Sequence, residues 1–149
     1  MNKYKFRLQT VLKLREAHRD QKRAALADAF RAEQVLADRR AELVEEQREL
    51  RRLQQTLTAD RYLDVNRLLE AQRYEMVLRT QEQELTLQEA LLAAEVQKRQ
   101  QALVEADRDV RALELLDERH RRQHRRALQR LETKQLDEAA ITTRLFQET

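Results

Sequence analysis

Glycine, proline, cysteine and tryptophan are all missing from this 149-residue chain, and serine is missing too. At average usage about 18 glycines and prolines would be present. Hairpin turns, phosphate-cradling loops and nucleophile elbows draw on the backbone freedom or rigidity of those two residues, so their absence excludes most compact folds built on such turns. Zero cysteine excludes a disulfide scaffold, thiol chemistry and any cysteine-bearing metal site. It is also what a reducing cytosol would permit. Aromatic residues number six, namely Tyr4, Phe6, Phe30, Tyr62, Tyr74 and Phe146. No run approaches the ~20 apolar residues that span a bilayer. The first residues are basic but lead into no uninterrupted apolar segment, so they do not read as a secretory signal. A cytoplasmic protein is expected.

What remains is leucine, alanine, arginine, glutamine and glutamate, with 57 charged residues that nearly balance, 30 basic against 27 acidic. This is the make-up of long helices or a coiled coil. The apolar residues are periodic, which argues against disorder. Leu8, Arg15, Lys22, Ala29, Leu36, Leu43, Leu50 and Leu57 are seven apart, and Val11, His18, Ala25, Ala32, Arg39, Glu46 and Leu53 follow three residues on. Such a stripe predicts a supercoiled helix, with long basic stems covering apolar surface at the polar positions. A second seam runs through Leu78, Leu85, Leu92, Arg99, Ala106 and Leu113, flanked by Val96, Leu103 and Val110. It thins over residues 117–126 and resumes with Ala127, Leu131, Ile141 and Leu145.

Between the seams, Thr56, Thr58, Asp60, Asp64 and Asn66 form the one cluster of helix-capping residue types. The spacing therefore predicts an all-α fold, a long antiparallel two-helix coiled-coil hairpin occupying residues 1–149 as a single domain. Helix 1 is expected at about 4–57, the turn at about 56–61 with Asp60 or Thr58 as cap, and helix 2 at about 61–142. At 1.5 Å per residue the second helix, about 120 Å long, overhangs the first, about 75 Å, and its last turns require another partner. A two-helix rod offers no concave pocket for chemistry. Charge is uneven: residues 1–40 carry net +6, residues 41–120 net −6 and residues 121–149 net +3. In a hairpin the open end is then basic and suited to an acidic partner.

His120 and His124 stand at the i, i+4 spacing of helical zinc sites, but Arg119, Arg121, Arg122, Arg125 and Arg126 surround them and repel a cation. No metal site is expected. The same arginines could grip nucleic-acid phosphates, yet no aromatic interleaves them and Asp117 and Glu118 precede them; a solvated basic face or an acidic protein partner fits better. Tyr4, Phe6, Leu8, Val11, Leu12 and Leu14 among Lys3, Lys5, Arg7 and Lys13 could lie on a membrane surface, with docking into a protein groove the stronger alternative. No catalytic constellation, cofactor or small-molecule substrate is implied. A generic coiled-coil scaffold or tether is the alternative to a dedicated docking protein.

The run Phe6-Arg-Leu-Gln-Thr-Val-Leu-Lys-Leu-Arg15-Glu, followed by an Ala/Arg/Glu-rich helix, resembles the FliJ family of flagellar export proteins. Tyr62 just after the mid-chain break and the segment Glu132-Thr-Lys-Gln-Leu-Asp-Glu138 agree with it. The resemblance implies a non-enzymatic stalk, similar to the gamma subunit of rotary ATPases. It would bind the hexameric export ATPase ring, link it to the export-gate membrane protein and escort export chaperones, at the cytoplasmic face of the inner membrane. Carried over residue by residue, the ring-binding positions are Phe6, Leu8, Val11, Leu12 and Arg15 with Lys134, Leu136, Asp137 and Glu138. The gate-binding positions are Leu68, Leu69, Gln72 and Arg79, where Gln72 and Arg79 depart from the apolar or smaller groups expected. The equivalent stalk of virulence type III secretion has the same architecture, and the N-terminal run favours the flagellar branch.

Overall fold

The structure is a computed structural model that describes residues 3–148. It contains two helices, α1 (Gln9–Ala59) and α2 (Val65–Gln147), packed against each other as a helical hairpin. The expected all-α two-helix architecture is what the chain adopts. The described residues divide into two compact units, one built from Gln21–Leu103 and one from the residues before and after that stretch.

In the Gln21–Leu103 unit, α1 and α2 turn back on each other through residues 60–64. The turn is made without glycine, and no described residue has a positive φ. Its capping residue is Asp64, four positions beyond the expected Asp60. The Asp64 Oδ1 accepts hydrogen bonds from the Asn66 and Arg67 backbone N–H groups at 3.2 and 3.3 Å, the N-cap arrangement that satisfies donors left over at a helix start. Thr56 and Thr58 stay inside α1. Their hydroxyls donate back to the carbonyls of Arg52 and Gln54, an intrahelical alternative to capping.

The core of this unit is a single line of side chains. Leu43, Leu50, Ala71, Leu78 and Leu85 are buried together, with Leu36 packed against them. Two helices share one contact line only, so each gives the seam little more than one residue in seven. The positions expected three residues on from the α1 leucines are poorly covered, and Leu53 is exposed. Polar side chains flank the leucines instead and cross between the helices. Gln54 donates to Glu75, Gln47 to Glu82, and Arg40 to Glu89. Each step of seven residues back along α1 is matched by seven forward along α2, which is the register of an antiparallel pair. Arg40 makes the firmest rung. Its guanidinium reaches both Glu89 oxygens at 2.7 and 2.8 Å, and its hydrogen bonds hold the Glu89 carboxyl below the usual carboxylate range. Exposed ion pairs contribute only about 0–1 kcal/mol each, so these rungs set register more than stability.

Burial in α2 keeps a seven-residue interval from Ala71 through Leu78 to Leu85, then next falls at Val96, eleven residues on. That longer step shifts the phase of the stripe as an inserted four-residue stutter does. Arg99 stands at a seam position here. Its guanidinium finds a partner in the Ala25 carbonyl of α1 at 2.6 Å, with Glu95 beside it at 2.9 Å.

In the other unit, the described residues through Asp20 pack on α2 from Val104 to His124. Helix α1 begins at Gln9, five residues later than expected. Residues 3–8 are not helical: Tyr4, Phe6 and Leu8 are covered while Lys3, Lys5 and Arg7 are exposed. This alternation is that of extended chain, where successive side chains point to opposite sides. Phe6, Leu12 and Val110 form the buried cluster of this unit, with Tyr4, Leu8, Leu113 and Leu116 against it. At the other end α2 runs on to Gln147, beyond the expected residue 142, and every described residue from 125 onward is exposed.

Leu78 is 1% exposed and Leu136 is 71% exposed. Leu78→Ala is expected to cost about 2–4 kcal/mol, because the seam has no second layer to refill the cavity. Leu136→Ala should change stability by less than about 0.5 kcal/mol. Circular dichroism during urea unfolding measures both.

Candidate functional site

Along α2, Val110, Leu113, Asp117, His120 and His124 recur at alternating intervals of three and four, so they share one face. Residues 3–8 lie over that face as a strap. The Phe6 ring, buried, meets His120 edge-on with centroids 6.0 Å apart, and the Tyr4 ring meets His124 at 5.6 Å. The Tyr4 hydroxyl donates to the Asp117 carboxylate at 2.7 Å, and the Arg121 guanidinium sits over the Tyr4 ring at 5.6 Å. Arg121 also pairs with Asp117 at 3.1 Å. The strap thus ends on a small network of Tyr4, Asp117 and Arg121.

Partial burial, then the hydrogen bond to Asp117 and its charge, push the Tyr4 phenol above its ordinary value. The Asp117 carboxyl is held below its ordinary value, first by the hydrogen bond from Tyr4 and then by Arg121, against some loss of solvent. The two histidines that sequence spacing offered as a zinc pair are turned to other work, each lying against an aromatic ring of the strap. Among the described residues, no group of three or more His, Cys, Asp or Glu side chains could hold a metal ion.

The positions carried over from the resemblance fall into three environments. Phe6 and Leu12 are buried and Leu8 is half-buried, all within the intramolecular cluster. Val11 is at the surface, and Arg15 is exposed with Asp109 at 3.5 Å. Lys134, Leu136, Asp137 and Glu138 stand on the uncovered part of α2. Lys134 and Asp137 line a shallow surface groove with Arg126, Gln129, Arg130 and Thr133. In the first turns of α2, Leu68 is half-buried while Leu69, Gln72 and Arg79 are exposed, and Arg79 pairs with Glu75 at 2.9 Å. Leu69 and Gln72 share an outward face with Val65 and Met76, both exposed, two apolar groups the sequence reading passed over. Their intervals of three and four were the available signal. Tyr4 was read as part of a stretch lying on a membrane or in a partner's groove, and Asp117 and Arg121 as members of a charged run. The structure instead joins the three to one another, and the alternation of Tyr4 and Phe6 with Lys3, Lys5 and Arg7 was the available signal.

The described residues thus offer exposed helical faces rather than an enclosed pocket with convergent reactive groups. The chain is a helical hairpin of the coiled-coil class. A comparison with protein families sharpens that: the Flagellar FliJ protein family matches residues 4–148, nearly the whole chain, and the chain belongs to that family. The family is a non-catalytic structural component of the flagellar export machinery. Comparison with curated proteins and with solved structures found no match. No helix among the described residues is long and apolar enough to cross a membrane.

The strap's polar anchor has a defined pH window. Because the folded-state Asp117 is the easier one to ionise, its contribution is present above the unfolded carboxyl's titration and is lost as pH falls through the lowered folded value. Tyr4, raised in the folded state, contributes below the ordinary phenol value and loses that contribution as pH rises through the raised one. Hydrogen exchange of the Gln9 amide, which donates to the Phe6 carbonyl of the strap, should therefore quicken relative to its intrinsic rate at both limits. Tyr4→Phe should quicken it at neutral pH by roughly three- to tenfold, the effect of one lost charge-assisted hydrogen bond, and flatten both limbs.

Proposed function

We propose that this member of the FliJ family is the central stalk of the flagellar export ATPase, acting without catalysis of its own. The observation that carries the reading is the bare end of α2. Its residues 125–147 are helical and uncovered, with Leu131, Leu136 and Ile141 each more than half exposed. A helical stretch with no face packed against other structure is only weakly held, and three such side chains lose hydrophobic stabilisation while they face solvent. A surrounding partner would recover both. Residues 121–149 carry net +3, which suits an acidic lining.

In this reading Lys134, Leu136, Asp137 and Glu138 meet the hexameric ring directly, joined by the exposed Val11 and Arg15. Phe6, Leu8 and Leu12 act one step back, by fixing the strap and the start of α1 on α2. Leu69 and Gln72, with Val65 and Met76 on their outward face, meet the export gate, and Arg79 and Leu68 border that contact. Export chaperones would bind transiently to the same exposed helical surfaces. The complex would stand at the cytoplasmic face of the inner membrane. Coupling follows if the stalk binds one arrangement of the ring better than another, since a ligand shifts an equilibrium only by its difference in affinity.

Co-purification with the export ATPase, with ring assembly and ATP turnover measured with and without this chain, tests the reading. Higher assembly and turnover are expected with it. Leu136→Glu should weaken ring binding about tenfold, as for a buried interface anchor. Unchanged assembly and turnover in the presence of the wild-type chain would sink the stalk role.

A further inference from the structure

The stripe that carries the strap does not stop where the strap stops. Continued at the same alternating intervals, the face of Asp117, His120 and His124 runs on through Ala127, Leu131, Lys134, Glu138 and Ile141. Leu131 and Ile141 on it are 57% and 59% exposed. Lys134 and Glu138 are exposed and, among the described residues, form no ion pair with each other. That order, basic residue first and acidic residue four later, is the less favourable one within a helix.

We infer that this face is a self-pairing surface, and that its occupant is the same segment of a second copy of the chain running antiparallel. The argument is charge complementarity at the seam itself. In antiparallel coiled coils each first-type seam position faces a second-type position of its partner. Turned about a point midway between Lys134 and Glu138, the segment places Leu131 against Ile141 of the other copy, and Lys134 against Glu138 of the other copy. Every one of those contacts is made twice. The interface is isologous and closes on itself, so it yields a dimer and not a fibre. A parallel pairing in register would set lysine on lysine and glutamate on glutamate, so the sequence selects the antiparallel arrangement.

The flanks keep the pairing weak. Arg130 and Arg144 face each other across it, and Asp137 faces its own copy, so attraction rests on Leu131, Lys134, Glu138 and Ile141. A dissociation constant of about 10–100 µM is expected, because two short helices share one seam. Leu136 lies on the opposite side of α2 from this seam, so Leu136→Glu leaves self-pairing intact. The inference does not rest on the stalk reading.

Sedimentation equilibrium of the full chain, from about 5 µM to 0.5 mM, tests it. The wild type should pass from monomer to dimer across that range. Lys134→Glu and Glu138→Lys should each weaken the dimer about tenfold, since each puts like charges at two places. The double variant carrying both should restore it, because the exchanged charges again face their opposites. Circular dichroism checks that all four proteins remain equally helical. A chain that stays monomeric throughout, a dimer indifferent to the single variants, or a double variant no better than the singles would each overturn the inference.

Discussion

Everything in this protein hangs on the fact that two helices can bury only one line of side chains between them. In the Gln21–Leu103 unit that line is Leu36, Leu43 and Leu50 against Ala71, Leu78 and Leu85. With no third helix among the described residues there is no second layer, and most of their leucines, valines and alanines are at least partly in water. The dense charge follows from this. A hairpin with so thin a core is held in register by its arginine, glutamine and glutamate side chains, several of which bridge the helices beside the seam. The same constraint leaves long outward faces available for partners, which suits a structural component of an assembly better than it suits an enzyme.

The architecture was legible because periodicity and composition pointed the same way. An interval of seven repeated over fifty residues, with no breaker and one patch of capping residues, leaves few alternatives to a helical hairpin. The turn was less legible in detail. Five capping residue types sit close together there, and only local hydrogen bonding chooses Asp64 over Asp60 and holds Thr58 inside the helix. The seam was overread on one side. Val11 and Leu53 fit a heptad template, yet a pair of helices covers too narrow a strip to reach them.

The candidate site was legible in part, and the reason is instructive. Phe6, Leu8 and Leu12 stood out as a motif, but a motif does not say whether its apolar groups face inward or outward. Here they face inward and pack with Val110. The two-residue alternation of Lys3, Tyr4, Lys5, Phe6 and Arg7 was masked by the helical periodicity that begins at Gln9, and the two patterns overlap at Leu8. Asp117 carried no signal of its own. It is one carboxylate among 27 acidic residues until a distant tyrosine picks it out. Long-range partners of exposed charges are the kind of information that a single sequence does not carry.

The strap also bears on the entropy of closing the chain. The polar rungs between the helices join residues 21, 35 and then 49 positions apart in sequence, growing away from the turn, whereas Tyr4 and Asp117 are separated by 113. Closing a longer loop costs more entropy, although each added length costs less than the last. Of these contacts the tyrosine one therefore spans the longest loop and carries the largest closure cost. The terminal strap becomes the segment that can detach and reseat while the leucine seam stays shut, a local opening far cheaper than unfolding.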